Sequence, residues 1–551
     1  MSSEVTIGLE TEYGVLGDLR NPVQLSALVV AAYKQTQAGL MAPWDYTSED
    51  PLNDARGFRL DRAAAHPSQL TDRPGGGSGG PPPAPPHRQG PGAAMLANGA
   101  RLYVDHAHPE YATPEAGGAR EAALWDKAGE RVMAAAAQAL AAEGRSVQLY
   151  KNNTDGQGAS YGTHENYLLE RSLEWARLVA GITPFLVTRQ VFTGSGRVGL
   201  GARSQEAGFQ LSQRADFVEA EVGLETTLNR PIVNTRDEPH ADPSRWRRLH
   251  VIVGDATMME VATYARVGVT ALFLRALAAA APDDADRLAA NIALAAPVAA
   301  FQQVSRDLTL RQRLKLRNGG EATAIEVQRR CLDFTAKTLG AAEDRAGSAS
   351  QAKLGEPNGD HAETADLLKR WEALLDGLGR EPMGLARQVE WVAKLQVVDG
   401  LRERGGLGWD APKLRAADLR WTDVDPKTSL FARLEGAGAV ERLFTEDEIT
   451  WALGHPPEST RAYLKGRALR RFPEAVVAAG WDRLTLAWPG GSARIALAEP
   501  RTGSRPQVGP ALEAAANPQD LVQLLDGLAA SAPPGAGVFA AQSRDQGWAA
   551  R

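Results

Sequence analysis

Three polar clusters carry residue types that could do chemistry: Glu10-x-Glu12, the run from Asn98 to Glu115 (NGARLYVDHAHPEYATPE), and the run from Lys151 to Tyr167 (KNNTDGQGASYGTHENY). Together they supply carboxylates, a phenol and imidazoles. These are the hard donors that Mg²⁺ takes when it also carries nucleotide phosphates. Any one cluster is equally well explained by buried ion pairs and hydrogen-bonded turns. Three together favour a site, because carboxylates gathered on strand faces cost several kcal/mol to desolvate unless a metal or cation compensates them.

Other chemistries lose their usual carriers. There is no GxxxxGK[ST] phosphate loop, and the glycine-rich stretch Gly194–Gly201 reads first as a hairpin turn. No GxSxG elbow occurs, and the single cysteine, Cys331, sits in a helical context. A carboxylate remains as the candidate nucleophile or base. A basic set in the middle of the chain, Gln213–Phe217, Thr226–His240 and Arg245–His250, offers arginines that could pair with phosphate or carboxylate or, as readily, with nearby acids.

The elements that must position these groups follow from periodicity. Val5–Val15 alternates like a strand and puts Glu10 and Glu12 on one face, where two carboxylates repel and call for a cation nearby. Met95–Val104 reads as a strand with Arg101, Tyr103 and Asp105 on one face and Leu102 and Val104 on the other. Helices are predicted over Glu115–Ala142 and Ala256–Ala280, with the strand SVQLYKNN following the first. Helices dominate to about Asp410, where Leu367, Trp371, Leu374, Leu375 and Leu378 form a core-facing stripe. RLTLAW, residues 483–488, alternates as a strand in the last unit.

A chain of 551 residues is long for one core, and the division expected is a large domain over 1–425, a small one over 426–530 and a disordered tail over 531–551. Within the large domain, residues 50–95 hold a flexible insertion whose Gly/Pro-rich centre cannot pack a core. Net charge of −6 argues against a surface built for nucleic acid. One cysteine excludes an intrachain disulfide, and with no signal peptide or uninterrupted apolar span the protein is expected in the cytoplasm, off the membrane.

The motifs IGLETEYG, NGARLYVDHAHPEYATPE, YKNNTDGQGASYGTHENYL, QRADF, VGLETTLNRPIVNTRDEPHAD and RRLHVIVGDA closely resemble the Dop/PafA enzymes, relatives of glutamine synthetase and glutamate–cysteine ligase. The resemblance runs through nearly the whole chain. It implies an α+β fold: a large glutamine synthetase-like domain with a curved antiparallel sheet flanked by helices, plus a small C-terminal domain. It also implies ATP (or ADP plus phosphate) and Mg²⁺ as cofactors. By motif match Asp105 would be catalytic, Glu10, Tyr103 and Glu110 would contact metal, and Arg101, Thr113 and Trp481 would contact nucleotide, with the base near Trp481. Glu12, His164, Glu165, Arg214, Arg236, His250 and Arg56 are further residues expected to line the site.

The substrate implied is Pup, a small disordered protein joined through its C-terminal Glu γ-carboxyl to a target lysine, or carrying a C-terminal Gln. Partners would be Pup and pupylated proteins, with a link to the bacterial proteasome pathway. Two features resemble the hydrolytic members that remove or deamidate Pup rather than the ligases: the insertion retaining Asp50–Phe58, and the spacing Asp105-His-Ala-His-Pro-Glu110. The Gly/Pro-rich extension over 74–92 departs from the family pattern. A Pup ligase and a small-molecule γ-glutamyl ligase remain as alternatives at this stage, as does a catalytically silent Pup-binding adaptor.

Overall fold

The computed structural model describes residues 5–37, 39–66, 69–70, 93–349, 359–531 and 540–545. Its centre is a nine-stranded sheet of β1 (Ile7–Glu12), β2 (Met41–Pro43), β3 (Ala94–Leu96), β4 (Arg101–Asp105), β5 (His108–Ala112), β6 (Thr163–Glu170), β7 (Ala220–Gly223), β8 (Pro231–Asn234) and β9 (Trp246–Val251). The order is β7-β8-β9-β6-β1-β5-β4-β3-β2. Every pairing is antiparallel except β7 with β8.

Period-two alternation divides the two faces. Ile7 and Leu9 of β1, Tyr167 and Leu169 of β6 and Leu249 and Val251 of β9 are buried in the main apolar core. Against them pack helices α1 (Ala119–Ala142), α2 (Trp175–Thr193) and α3 (Glu260–Ala279), with α4 (Ala324–Ala349) and α5 (Gly359–Arg380) behind. Gly129 of α1 permits close approach to the sheet, since a Cβ there would lie 2.5 Å from the Tyr111 ring. The stripe from Leu367 to Leu378 on α5 is in this core. α3 is long and apolar enough to cross a membrane, but 89% of its apolar window is buried inside the protein, which marks it as a core helix.

Three expectations shift. Met95–Val104 is a hairpin, not one strand: Asn98-Gly99 turns the chain, Gly99 at φ +82°, with Ala94 opposite Leu102. The Asn-Gly pair is itself a turn signal, and alternation across it masked the reversal. Gly194–Gly201 is not a hairpin turn: Arg197–Leu200 is a strand paired with Glu206–Gln210, and the turn follows it. Helix α1 starts at Ala119, after Gly117 and Gly118, which disfavour helix.

The second core contains Tyr463, Leu464, Leu484, Leu486, Ile495 and Leu525, and it also takes Ala42, Trp44 and Met95 from the edge of the main sheet. Phe444, Ile449 and Ala452 belong to the large core, so packing passes from one core to the other between Ala452 and Tyr463 rather than at 426. The small sheet is β10 (Val476–Ala479), β11 (Arg483–Trp488), β12 (Gly491–Ala496) and β13 (Ala540–Asp545). β13 lies in the stretch expected to be a disordered tail and instead pairs with β12. The centre of the insertion, residues 71–92, lies outside the described residues. Its root is docked: Asp54 bridges Arg236, and Asn53 donates to the Asp237 carbonyl at 2.7 Å.

Candidate active site

On the sheet face opposite the helices, register brings the three polar clusters together. Glu10 is opposed by His164 and Ala112, and Glu12 by Glu110. Tyr103 also stands opposite Glu110, Arg101 opposite Ala112 and Asp105 opposite His108. Directly opposed residues of antiparallel strands share a face. Glu10, Glu12, Tyr103, Asp105, Glu110 and His164 therefore form one polar surface.

The carboxylates on it are in different states. Burial works against ionisation of Glu10, but His164, Arg248 and Arg236 outweigh it and hold the group at about 2. Glu10 lies 3.2 Å from His164 Nδ1, accepts from Asn166 Nδ2 at 3.1 Å and is 3.9 Å from Arg248. Arg248 and Arg236 are cations of the kind that the Glu10–Glu12 pair demanded. Glu12 goes the other way: burial, then the Asp105 charge, raises it to about 8 despite the Gly162 backbone N–H that donates to it. Asp105 is partly buried, which works against ionisation, but it is held at about 2 by His106, whose Nδ1 lies 3.1 Å away, and by a hydrogen bond with Glu12. The pair thus separates into an ionised Asp105 and a protonated Glu12. The side chain of Asp105 is 26% exposed while Glu12 is buried, so it is the ionised member that a substrate can reach.

Glu110 is pushed well above the ordinary carboxylate range by burial and by the charges of Asp105, Glu12 and Glu10. Its Oε2 is buried without a partner. A crowded set of oxygen donors with one orphaned oxygen fits a hard divalent cation, which would relieve the repulsion and allow Glu110 to ionise. Among the described residues, two sets have ligand atoms close enough to share an ion, within 4.8 Å of one another: Glu10 with His164 and His250, and Glu12 with Asp105 and His106.

Arg101 is enclosed. Its guanidinium lies 4.5 Å from the Trp44 ring, 4.1 Å from Tyr103 and 5.3 Å from Tyr46, and donates to Glu49 at 3.1 Å. Thr113 follows β5; its Oγ1 accepts from Leu9 N at 3.0 Å. It lines a pocket shared with Glu10, Arg248, His240 and Trp481, the last packed edge-on against Trp44 at 5.0 Å.

Four other expected site residues are placed differently. Glu165 faces the helices, opposite Leu9, and is held by Arg189 at 2.7 and 2.9 Å and Arg266 at 3.1 Å. One residue of offset from His164 puts it on the other face. Arg214 donates to Ser160 Oγ at 3.0 Å and to the Ile252 carbonyl at 2.9 Å, so it braces a loop beside Glu12. Arg56 binds Asp54 at 2.8 Å and lies over Phe58, within the docked root. Arg236 acts on Glu10 through its charge. His250 belongs with the site, its Nδ1 lying 2.8 Å from Asn166 Oδ1.

Asn166 and Arg248, two residues from His164 and His250, share their face by strand alternation, a signal present in the sequence. Arg248 also donates to Glu238 at 3.2 Å. Glu238 and Glu49 carry no such signal, since each reaches the site from a loop.

Comparison with known proteins adds the lineage. A family profile described as Pup-ligase protein matches residues 6–485. The chain belongs to the Pup-ligase family. A depupylase of Acidothermus cellulolyticus is 46% identical over 95% of this chain and 99% of its own length. A Pup deamidase/depupylase of Mycobacterium tuberculosis is 44% identical over 94% and 98%. A Pup–protein ligase of Micrococcus luteus is 40% identical over 71% of this chain and 83% of its own. Among solved structures, the complex of Pup with its ligase PafA superposes with a TM-score of 0.71 at 29% identity, covering 97% of this chain and 96% of that one. PafA bound to ADP gives 0.65 at 32%, covering 80% and 91%.

Proposed function

We propose that this protein is a depupylase and Pup deamidase: it hydrolyses the isopeptide bond between the C-terminal Glu of Pup and a target lysine, and converts a C-terminal Gln of Pup to Glu. The carrying observation is the full-length match to relatives of that activity, at 44–46% identity over 94–95% of the chain, against 39–40% over 69–71% for the Pup ligases. The protein binds an adenine nucleotide, as PafA does with ADP. Its setting is the cytoplasm, where pupylated proteins meet the bacterial proteasome.

Asp105 is the catalytic residue of this reading. A carboxylate held at about 2 is a weak base but remains ionised, which favours its attacking the γ-carbonyl carbon directly. As the C–N bond breaks, the departing amine or ammonia takes the proton held by Glu12. Water then hydrolyses the acyl-Asp105 anhydride, returning a proton to Glu12 and releasing the Glu carboxyl. Glu10, Tyr103 and Glu110 would hold Mg²⁺, which when bound supplies positive charge to offset these carboxylates and to orient phosphate. Arg101, Thr113 and Trp481 would bind the nucleotide, which amide hydrolysis does not need as fuel.

The test is incubation of Pup ending in Gln with the protein, ATP and Mg²⁺. A gain of about one dalton per Pup reports deamidation, and Asp105→Asn is expected to slow it by about 10² to 10⁴-fold or more while leaving nucleotide affinity and melting temperature near those of the wild type. Retained turnover in Asp105→Asn, or conjugate formation from Pup-Glu and a lysine target in preference to cleavage, overturns the reading.

A further inference from the structure

The pocket beside Glu10 is lined by Glu10 and Arg248 and also by His240 and Trp481, whose ring centroids lie 6.5 Å apart. Most polar side chains of the lining are already engaged. Arg461 forks onto Glu115 with its Nε at 2.9 and 3.0 Å, Asn166 bonds Glu10 and Arg248, and Thr113 accepts from Leu9. Two buried side-chain nitrogens in the lining lack a partner, Arg248 Nε and His240 Nδ1. The first belongs to a guanidinium already paired with Glu238, and the second to a ring that packs near Trp481.

His240 is placed deliberately by the chain. Its side chain is 9% exposed, and its backbone sits at φ +47°, a conformation uncommon outside glycine. The segment is tied on both sides, by Asp237 N to the Asn53 carbonyl at 2.9 Å and by Asp242 N to the Ala498 carbonyl at 3.2 Å. A buried ring nitrogen without a partner, in a constrained backbone conformation, is where a ligand contact is expected. Burial and the nearby cations Arg248, Arg461 and Arg101 keep the imidazole neutral, so one ring nitrogen donates and the other accepts. Nε2 lies 3.9 Å from a Glu238 carboxylate oxygen, too far for a hydrogen bond but close enough to favour the proton on that nitrogen. Nδ1 is then the acceptor.

Given the nucleotide site proposed above, we infer that His240 is a specificity-determining residue which reads the 6-position of the purine, its Nδ1 accepting from the exocyclic amine of adenine. A 6-oxo purine would set a carbonyl oxygen against the same lone pair. The discrimination is therefore between an amino and an oxo edge, a loss that leaves a buried polar atom unpaired.

The probes are ATP and ITP, which carry amino and oxo groups at that position. Their direct binding to the full-length protein is measured without Pup, so the outcome is independent of amidase activity. The wild type is expected to bind ATP more tightly than ITP, and His240→Ala to narrow that ratio by about tenfold, mainly through weaker ATP binding. His240→Gln, which restores an acceptor, should recover part of it. Melting curves confirm that both variants fold. Equal loss of affinity for ATP and ITP in both variants would show a merely structural residue and overturn the inference, as would an unchanged ratio. Wild-type protein that binds neither nucleotide would overturn the nucleotide site as well, whereas failed deamidation with a normal ATP/ITP ratio would overturn only the catalytic reading.

Discussion

Replacing Glu165 by Gln separates a structural carboxylate from a catalytic one. The Glu165 side chain is 0% exposed, and the guanidiniums of Arg189 and Arg266 against it are 2% and 1% exposed. Gln keeps the volume but removes the charge that, among the described residues, pairs with both buried cations, and it turns one acceptor into an N–H facing the donors of Arg189. Breaking a buried pair while leaving its partner charged costs about 3–5 kcal/mol. Here two cations lose their anion, which argues for the upper half of that range. An exposed control is Glu170→Gln: the Arg245–Glu170 pair is 46% and 30% exposed and 3.4 Å long, so its loss should cost less than about 1 kcal/mol. The assay is urea unfolding followed by far-UV circular dichroism, together with the deamidation rate per folded molecule. Glu165→Gln should unfold at a clearly lower urea concentration with a near-normal rate under folding conditions. A wild-type midpoint combined with lost turnover would refute the assignment of Glu165 to the helix-packed face and return it to the active site.

The Glu12–Asp105 pair predicts the pH dependence of stability in metal-free protein. Between its ordinary value of 4.5 and about 8, Glu12 keeps a proton in the folded state that the unfolded chain has released, so stability falls as pH rises through that window. Glu12→Gln should flatten this slope in pH-resolved melting curves; an unchanged slope would contradict the shared proton. Asp105 has the opposite sign: its contribution is fully present above the ordinary 3.8 and is lost only as pH falls toward about 2, so it adds no slope near neutrality. Magnesium with ATP at one hundred times the dissociation constant should stabilise the fold by about 2.7 kcal/mol. Glu110→Gln is expected to remove most of the magnesium-dependent part of that gain, and a full magnesium shift in this variant would exclude Glu110 from the metal site.

Local pattern made the polar face legible wherever a functional group sits on a strand. Two-residue alternation put Glu10 with Glu12 and Arg101 with Tyr103 and Asp105, and the structure keeps both sets on one surface. Motif resemblance led to the family, because long runs such as NGARLYVDHAHPEYATPE carry identity in their order of residues. The same reasoning failed one residue away. His164 and Glu165 are sequence neighbours in one polar motif, yet a strand sends them to opposite faces, one to Glu10 and the other to two buried arginines.

What the sequence alone determined was therefore the residue inventory and the chemistry those donors permit, which depend on local order and period, together with the α+β class that the motif resemblance implies. The tertiary structure decided the rest. It chose which polar residues share a face with Asp105, set Glu12 and Asp105 to opposite protonation states through burial and mutual charge, and brought Glu49 from one loop and Glu238 and His240 from another to the site. It also joined the C-terminal unit to β2 and β3, so that Trp481 meets Trp44 across 437 residues of chain, as 481 − 44 gives. Desolvation and charge coupling act through space. No spacing along the chain encodes them until the sheet register and the docking of the second core have set the distances.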